Sequence, residues 1–242
     1  MFKALQNSLS SVIYPQECAV CGRHVDSLAD GVSCSRCWRE TRFFKGNEML
    51  CDRCGAYFGE QAAPTPVHCR KCDDHLYDNA VAVGIYEKAL AASVRHLKST
   101  PSLPERVKTF IDAAFLPPAF DDVDLILPIP LSKHRSLERG FNQADLIAGP
   151  ISKRLRAPID DQTLTRKLHT PIHRIGMDQK ARELSVRNAF EVTRPKLVAG
   201  KNILLIDDVL TSGATVSNAA KVLKKNGATK VYVFTLARAV MR

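Results

Sequence analysis

No run of apolar residues in this sequence approaches the ~20 that an α-helix needs to cross a bilayer. Residues 1–15 also lack the charged start and continuous apolar core of an export signal. Instead they place Phe2, Leu5, Leu9 and Val12 at amphipathic helical spacing. We therefore expect a cytoplasmic protein with no transmembrane segment. Its N-terminal helix should pack on its own chain or, alternatively, dock on a partner or a membrane surface.

Acidic residues are too few to balance the basic ones, since 35 Lys and Arg oppose 25 Asp and Glu for a net charge of +10. Residues 1–77 contain nine of each, so the whole excess lies in residues 78–242. Within residues 133–201, fifteen basic residues oppose seven acidic ones. This segment suits an anionic ligand or nucleic acid, or it is a solvated basic surface that keeps the protein soluble.

Cysteine is absent after residue 72, although eight cysteines precede that point as four Cys-x-x-Cys pairs. In a reducing compartment, pairs this regular indicate metal binding and not disulfides. Twelve residues separate the first two pairs and fourteen the last two, which is close to zinc-site spacing. The simplest assignment is two zinc ions with sequential ligand sets, and an interleaved pairing stays open. The first set is Cys18, Cys21, Cys34 and Cys37, and the second is Cys51, Cys54, Cys69 and Cys72.

Four thiolates complete a tetrahedral shell, so both zinc ions are expected to be structural and not catalytic. Because the cysteines fill all eight ligand positions, we expect His24, His68 and His75 to lie at the surface. A module this small has little core of its own, so metal binding should supply its folding free energy.

The composition changes near residue 77, which predicts an N-terminal helix with a double zinc-ribbon module over residues 1–77 and a second domain over residues 78–242. In the second part, strand-like and helix-like segments alternate. This alternation predicts an α/β fold with a doubly wound, mostly parallel sheet. Predicted strands cover 80–86, 123–128, 201–207 and 230–236, and predicted helices cover 89–98, 107–116, 143–155 and 215–225.

Residues 203–215, ILLIDDVLTSGAT, form the richest motif in the chain. A buried strand ends at Asp207 and Asp208, and a small hydroxyl-rich turn then leads into a helix. In an open α/β sheet, ligands bind at the carboxyl ends of the strands. The turn and the helix N-terminus offer N–H groups and hydroxyls to a phosphate. The residues of this turn are Thr211, Ser212, Gly213, Ala214 and Thr215.

The two carboxylates would be repelled by a phosphate in that turn, so they are assigned to sugar hydroxyls, which donate strong hydrogen bonds to a charged oxygen. The motif therefore predicts a sugar-phosphate site. It is not a Walker A loop, because no Lys follows the glycine, and it is not G-x-G-x-x-G. Only 35 residues follow Asp207, too few to complete a receiver domain.

Residues 203–215 resemble the thirteen-residue 5-phosphoribosyl-1-pyrophosphate (PRPP) motif of type I phosphoribosyltransferases. The resemblance implies that Asp207 and Asp208 are the catalytic pair, on the ribose 2′- and 3′-hydroxyls. It also implies that residues 211–215 hold the 5′-phosphate, with Mg²⁺ bound together with PRPP.

Residues 125–143 are similar to the signature of the ComF/ComFC competence-protein family, a strand end followed by R-G-F-N-Q. We expect a basic loop after the strand and then a helix capped by Asn142. Gln143 should face either the site or solvent. In type I enzymes this loop receives pyrophosphate, so the resemblance implies that role for Lys133, Arg135 and Arg139.

Between these motifs, a looser ComF-like pattern falls on the region that forms the mobile hood of type I enzymes. Its polar sequence and weak periodicity agree with that role. The matching residues are Arg166, Thr170, Pro171, Gln179, Arg182, Arg187, Asn188 and Phe190.

The resemblance implies phosphoribosyl transfer from Mg²⁺-PRPP to an acceptor that the residues do not identify, in DNA uptake and natural transformation. Two alternatives stay open. One is a module that binds single-stranded DNA through its basic segment, with Phe141 and Phe190 either stacking on bases or packing in the core. The other is a regulatory module in which PRPP or nucleotide binding controls a helicase-like or other DNA-processing partner.

Overall fold

The computed structural model describes residues 16–61, 65–167 and 189–240. The predicted N-terminal helix and most of the predicted hood lie outside the described residues. The described helices are α1 (Ser35–Arg39), α2 (Lys88–His96), α3 (Glu105–Asp112), α4 (Lys133–Arg139), α5 (Gln143–Leu155) and α6 (Ala214–Lys225). The described strands are β1 (Met49–Leu50), β2 (Tyr57–Gly59), β3 (Asn79–Ile85), β4 (Leu125–Pro128), β5 (Leu164–Arg166), β6 (Phe190–Val192), β7 (Asn202–Leu210) and β8 (Lys230–Arg238).

Four of these strands form a parallel sheet in the order β3-β8-β7-β4. Its central strands are continuous apolar runs, because both faces of a parallel sheet are covered. Ile203 to Ile206 of β7 are fully buried, for example. The predicted α/β fold with a mostly parallel, doubly wound sheet is confirmed. No helix in the described ranges is both long enough and apolar enough to cross a membrane.

Helices cover both faces of the sheet. On one face, α2, α3 and α5 pack in a single cluster with Leu204, Ile206 and Phe234 of the central strands. On the other face, α6 and the antiparallel pair β5–β6 pack with Leu205 and Val233. Successive side chains along β7 point to opposite faces of the sheet, so the sheet divides the core into two halves.

The cysteine-rich module straddles the sheet. Its first pairs pack with the α2–α3–α5 face, where Cys18, Cys34, Cys37 and Trp38 are buried. Its second pairs pack with the α6 face, where Cys51, Cys54 and Cys72 are buried. A module with little core of its own thus buries six of its eight cysteines against the larger core of the sheet.

Backbone hydrogen bonds join the module to the edge strand β3. Phe44 N donates to Val83 O at 2.9 Å, and Ala80 N donates to Arg53 O at 2.8 Å. These bonds protect an edge that would otherwise expose unpaired backbone groups. The approach is close at Gly84, where a Cβ would overlap the carbonyl oxygen of Arg42 and lie 3.1 Å from Phe43 Cα.

Three local features differ from the sequence prediction. Residues 133–139, expected as a basic loop, form α4, because the Ser132 hydroxyl accepts a hydrogen bond from Arg135 N and Gly140 ends the helix at φ +71°. The β5–β6 pair was not predicted, because each of its strands has only three residues. Strand β7 runs to Leu210, because β8 pairs with it as far as Arg238.

We predict that Gly84→Ala destabilises the docking of the module on β3. An added Cβ would push against backbone atoms, and overpacking of this kind costs about 1–3 kcal/mol. Thermal unfolding should show a Tm lower by roughly 2–12 °C. Gly149→Ala is the matched control, since Gly149 lies in α5 with nothing within 4 Å of an added Cβ. Equal Tm values for the two variants would contradict the close approach.

Candidate functional site

The eight cysteines form two clusters of four, and the pairing is sequential and not interleaved. In each cluster the sulfur atoms all lie within 4.8 Å of one another. In the first cluster, Cys18 Sγ lies 3.7 Å from Cys37 Sγ, and Cys21 Sγ lies 3.7 Å from Cys34 Sγ. A tetrahedral zinc with Zn–S bonds of about 2.3 Å requires sulfur atoms about 3.8 Å apart. The donor set and spacing therefore fit structural zinc.

The second cluster has the same form. Cys51 Sγ lies 3.6 Å from Cys72 Sγ, and Cys54 Sγ lies 3.4 Å from Cys69 Sγ. Burial opposes ionisation of the Cys51 thiol, yet the surrounding N–H groups of Cys54, Arg53 and Cys69 lower its pKa to about 7. Backbone amides thus stabilise the thiolate that a zinc ion needs.

Histidines support the second cluster without completing it. His68 is exposed, and its two ring nitrogens lie 2.8 Å from the carboxylates of Asp52 and Asp73. Its Nε2 atom is 3.9 Å from Cys72 Sγ, so it lies just outside the cysteine shell. His24 is exposed as expected. The expectation of a surface position is wrong for His75, whose ring is partly buried under the loop that follows β7.

Asp207 and Asp208 lie within the last four residues of strand β7, at the carboxyl edge of the parallel sheet. Asp208 N donates a hydrogen bond to Asp207 Oδ1 at 2.9 Å. The backbone of Asp208 therefore holds the carboxylate of Asp207 in place. Burial and the adjacent charge of Asp208 raise the pKa of Asp207 to about 7. The pair therefore holds negative charge that this part of the chain only partly neutralises.

Polar groups from three other segments, α5, α4 and the residues after α2, lie around the acid pair. Gln143 Nε2, at the start of α5, donates to Asp208 Oδ2 at 3.4 Å, and Gln143 Oε1 accepts from Arg139 at 3.0 Å. Lys98 Nζ lies 3.9 Å from Asp208 Oδ2. Gln143 is buried and faces the site and not solvent. The predicted cap of α5 is confirmed, because the side chain of Asn142 accepts a hydrogen bond from Ala144 N.

The three predicted basic residues lie on α4, the helix that ends shortly before Gln143. Lys133 and Arg135 are exposed, whereas Arg139 is partly buried and reaches Gln143. Arg166 stands 5.2 Å from the Phe190 ring centroid. Burial and the nearby charge of Arg135 lower the pKa of Arg166, and Asp207 opposes that shift. Arg166 therefore lies close enough to both Arg135 and Asp207 to interact with their charges. Phe190 itself is buried in the core.

Residues 211–213 connect β7 to α6, and residues 214 and 215 begin the helix. Gly213 adopts φ +79°, and α6 begins directly after it. Among hydrogen bonds between described residues, none uses the backbone N–H of Thr211, Ser212, Gly213 or Thr215, and Ala214 N reaches only the Ser212 hydroxyl at 3.4 Å. Amides that point from a turn into a helix N-terminus form an anion site.

The carbonyl side of the loop, in contrast, is fully engaged. Arg238 Nη1, at the end of β8, donates to Leu210 O at 2.8 Å and also to Thr211 O. The ring of His75 forms a hydrogen bond with the backbone of Ser212. Its Nδ1 atom forms a second hydrogen bond, 2.6 Å long, with the Tyr77 hydroxyl. The carbonyl groups of the loop are thus held by the protein, while the N–H groups of Thr211, Ser212 and Gly213 form no hydrogen bond among the described residues.

Sequence reasoning did not identify Lys98, His75 or Arg238 as site residues. Lys98 and His75 carry no local signal, because only the folded chain brings them to β7. Arg238 did carry one: a charged residue ends the apolar strand KVYVFTLAR at the same sheet edge as the acid pair. Strand ends at that edge gather around the ligand site of an open α/β sheet.

This chain matches two domain families and is similar in sequence to several other proteins. The double zinc ribbon domain matches residues 9–76, and the phosphoribosyl transferase domain matches residues 146–240. The DNA utilization protein YhgH of Escherichia coli K12 is 30% identical over 213 residues, covering 85% of this chain and 89% of that protein. Competence protein F of Haemophilus influenzae is 29% identical over 237 residues, covering 92% and 96%. Competence protein ComFC of Bacillus subtilis is 28% identical over 226 residues, covering 83% and 89%.

We predict that a chelator removes about two zinc ions per chain and unfolds the described part of the cysteine module, because the metal supplies most of its folding free energy. Zinc transfer to a chromophoric chelator measures the stoichiometry. The single tryptophan, Trp38, is buried between the first cluster and α3, so its fluorescence reports unfolding. Purified protein that holds no zinc yet keeps its native Trp38 fluorescence would contradict this prediction.

Proposed function

This chain belongs to the ComF/ComFC competence-protein family, and from that premise we propose that it binds PRPP or a nucleotide at the Asp207–Thr215 site. The observation that carries the proposal is the joint geometry of the acid pair and the loop. Two carboxylates lie on β7, and the residues that follow this strand at the same sheet edge carry amides that form no hydrogen bond among the described residues. A phosphorylated ribose has the matching groups, a diol and a 5′-phosphate.

Each part of the site has a separate task. The amides of residues 211–215 and the start of α6 bind the 5′-phosphate. Asp207 and Asp208 accept hydrogen bonds from the ribose hydroxyls, and these bonds are strengthened by the carboxylate charge. Lys133, Arg135 and Arg139 are placed on α4 to receive a pyrophosphate, Arg bidentately and Lys as a point charge. Mg²⁺, bound mainly through PRPP oxygens, would reduce the charge of that pyrophosphate.

The wider role follows from the relatives. Two of them are named competence proteins and one a DNA utilization protein. We place this chain in the same process, the uptake or use of DNA, with phosphoribosyl transfer as the reaction that the site is built for. Positioning and charge neutralisation would then supply more of the catalysis than a dedicated nucleophile.

We predict that Asp207→Asn/Asp208→Asn weakens the binding of Mg²⁺-PRPP by at least about tenfold, because hydrogen bonds to charged groups contribute about 1.5–3 kcal/mol each. Isothermal calorimetry measures the affinity. The substitution also removes a like-charge repulsion, so the Tm without ligand should stay equal or rise. That result separates lost binding from lost folding.

Asp112→Asn is the matched control for this experiment, since Asp112 is an exposed carboxylate at the end of α3. Its PRPP affinity should equal that of the unchanged protein. If the unchanged protein binds neither PRPP nor a nucleotide, the proposed site is refuted.

A second candidate function, binding of single-stranded DNA, is favoured by a cleft next to the first cysteine cluster. The cleft has a volume of about 710 Å³ and is open to solvent along α1 and α3. Phe43 and Phe110 stack in its wall with ring centroids 3.8 Å apart, and Tyr57 also lines the cleft. Aromatic faces beside cations are the usual platform for unpaired bases.

Two of the cations in this cleft are already used. Arg42 forms a bidentate pair with Glu87, and Arg106 donates to Asp30 at 2.8 Å. The side chains of Arg39 and Lys45 form no ion pair within the described residues. They are therefore the cations that remain for phosphate groups.

We predict that Arg39→Ala/Lys45→Ala weakens the binding of a fluorescent single-stranded oligonucleotide and flattens its salt dependence. Loss of two phosphate contacts should reduce the slope of log K against log salt by about 1.4. The charge-matched control is Lys196→Ala/Lys225→Ala, which removes two exposed lysines elsewhere. Equal losses in both variants would show that general charge, and not the cleft, binds the strand.

A further inference from the structure

Arg238 joins the second cysteine cluster to the phosphate loop. It is the last residue of β8, and only 2% of it is exposed. Its Nη2 atom lies 3.7 Å from Cys54 Sγ, while Nη1 donates to Leu210 O and Thr211 O. One side chain thus contacts a metal ligand on one side and the start of the loop on the other.

The charge of Arg238 explains why it needs the cysteine cluster. A buried guanidinium is costly unless an opposite charge lies close to it. Among the described residues, no Asp or Glu forms an ion pair with Arg238. A zinc ion with four thiolates has a net charge of −2, so the filled second cluster supplies the missing negative charge.

The chain that follows the second cluster also supports the loop. The ring of His75 lies so close under Gly213 that an added Cβ would come within 2.7 Å of Cε1. Leu76 N donates to the Ser217 hydroxyl in the first turn of α6 at 3.1 Å. Arg53, next to Cys54 in the chain, donates to the carbonyl oxygens of His75 and Tyr77. The second cluster therefore reaches the loop through two routes.

We propose that Arg238 is a positioning residue that couples the second zinc site, Cys51, Cys54, Cys69 and Cys72, to the phosphate loop. Metal in this site fixes the carbonyls of Leu210 and Thr211, and the opposite face of the same peptides then presents the amides to a phosphate. The first zinc site has no such contact among the described residues. The inference rests on the proposed function, because it assumes that the loop binds the 5′-phosphate.

The coupling must be reciprocal, since binding free energies are linked in both directions. Saturating Mg²⁺-PRPP should therefore raise the zinc affinity of one of the two sites by about fivefold or more, measured at equilibrium in competition with a zinc-selective chromophoric chelator. The zinc affinity of the other site should stay unchanged. This experiment uses the unchanged full chain, so it does not depend on a variant that folds.

Arg238→Met should remove this gain in zinc affinity and weaken Mg²⁺-PRPP binding by about tenfold, whereas Arg238→Lys should restore part of both, because it keeps the charge but loses the planar fork. Arg154→Met is the matched control, since Arg154 also donates to two backbone carbonyls, those of Ile111 and Ala114, away from the loop. It should keep both the PRPP affinity and the gain in zinc affinity.

Three results would overturn the inference. If the unchanged protein binds Mg²⁺-PRPP and neither site gains zinc affinity, the coupling is absent and the proposed function survives. Equal effects of Arg238→Met and Arg154→Met would show general destabilisation. If the unchanged protein does not bind PRPP, both the proposed function and the inference fail.

Discussion

Strand β3 would be a bare sheet edge without the backbone hydrogen bonds that it makes with residues 42–53. These bonds also fix where the cysteine module lies, because the chain crosses from one face of the sheet to the other along that edge. One cysteine cluster then belongs to each half of the core. The second cluster consequently lies beside the end of β8, where Arg238 and the loop after β7 meet. The position of the candidate site relative to the metal depends on this edge pairing.

The acid pair gains its chemical character from the same sheet edge. Two neighbouring carboxylates at the end of a buried strand repel each other, and burial raises the cost of charging both. The surrounding amide and cations, Gln143, Lys98 and Arg166, reduce that cost only in part, as the raised pKa of Asp207 shows. A site that holds excess negative charge beside amides without a partner among the described residues suits a ligand with hydroxyl donors at one end and an anion at the other. This combination distinguishes a sugar phosphate from a simple anion.

Local spacing predicted a large part of this structure. The Cys-x-x-Cys pairs, the run ILLIDD and the Asn142 cap each depend on residues close in sequence, and the structure has all three. The interactions that sequence reasoning missed join residues far apart in the chain. His75 reaches Gly213, and Arg238 reaches Cys54, only because the sheet closes between them. The helix α4 was missed for another reason, since none of its residues is buried and it therefore has no apolar periodicity.

A metal cluster is well suited to the place that it occupies below the loop. The carbonyls of Leu210 and Thr211 need a donor from the protein interior, and an apolar side chain cannot provide one. Arginine satisfies both carbonyls but requires a counter-charge. An aspartate or glutamate beside Arg238 would place another full carboxylate charge close to the phosphate of the ligand, and the repulsion would weaken phosphate binding. Thiolates on zinc spread their charge over four sulfur atoms on the far side of Arg238, so they balance the guanidinium while leaving the amide face of the loop favourable to an anion.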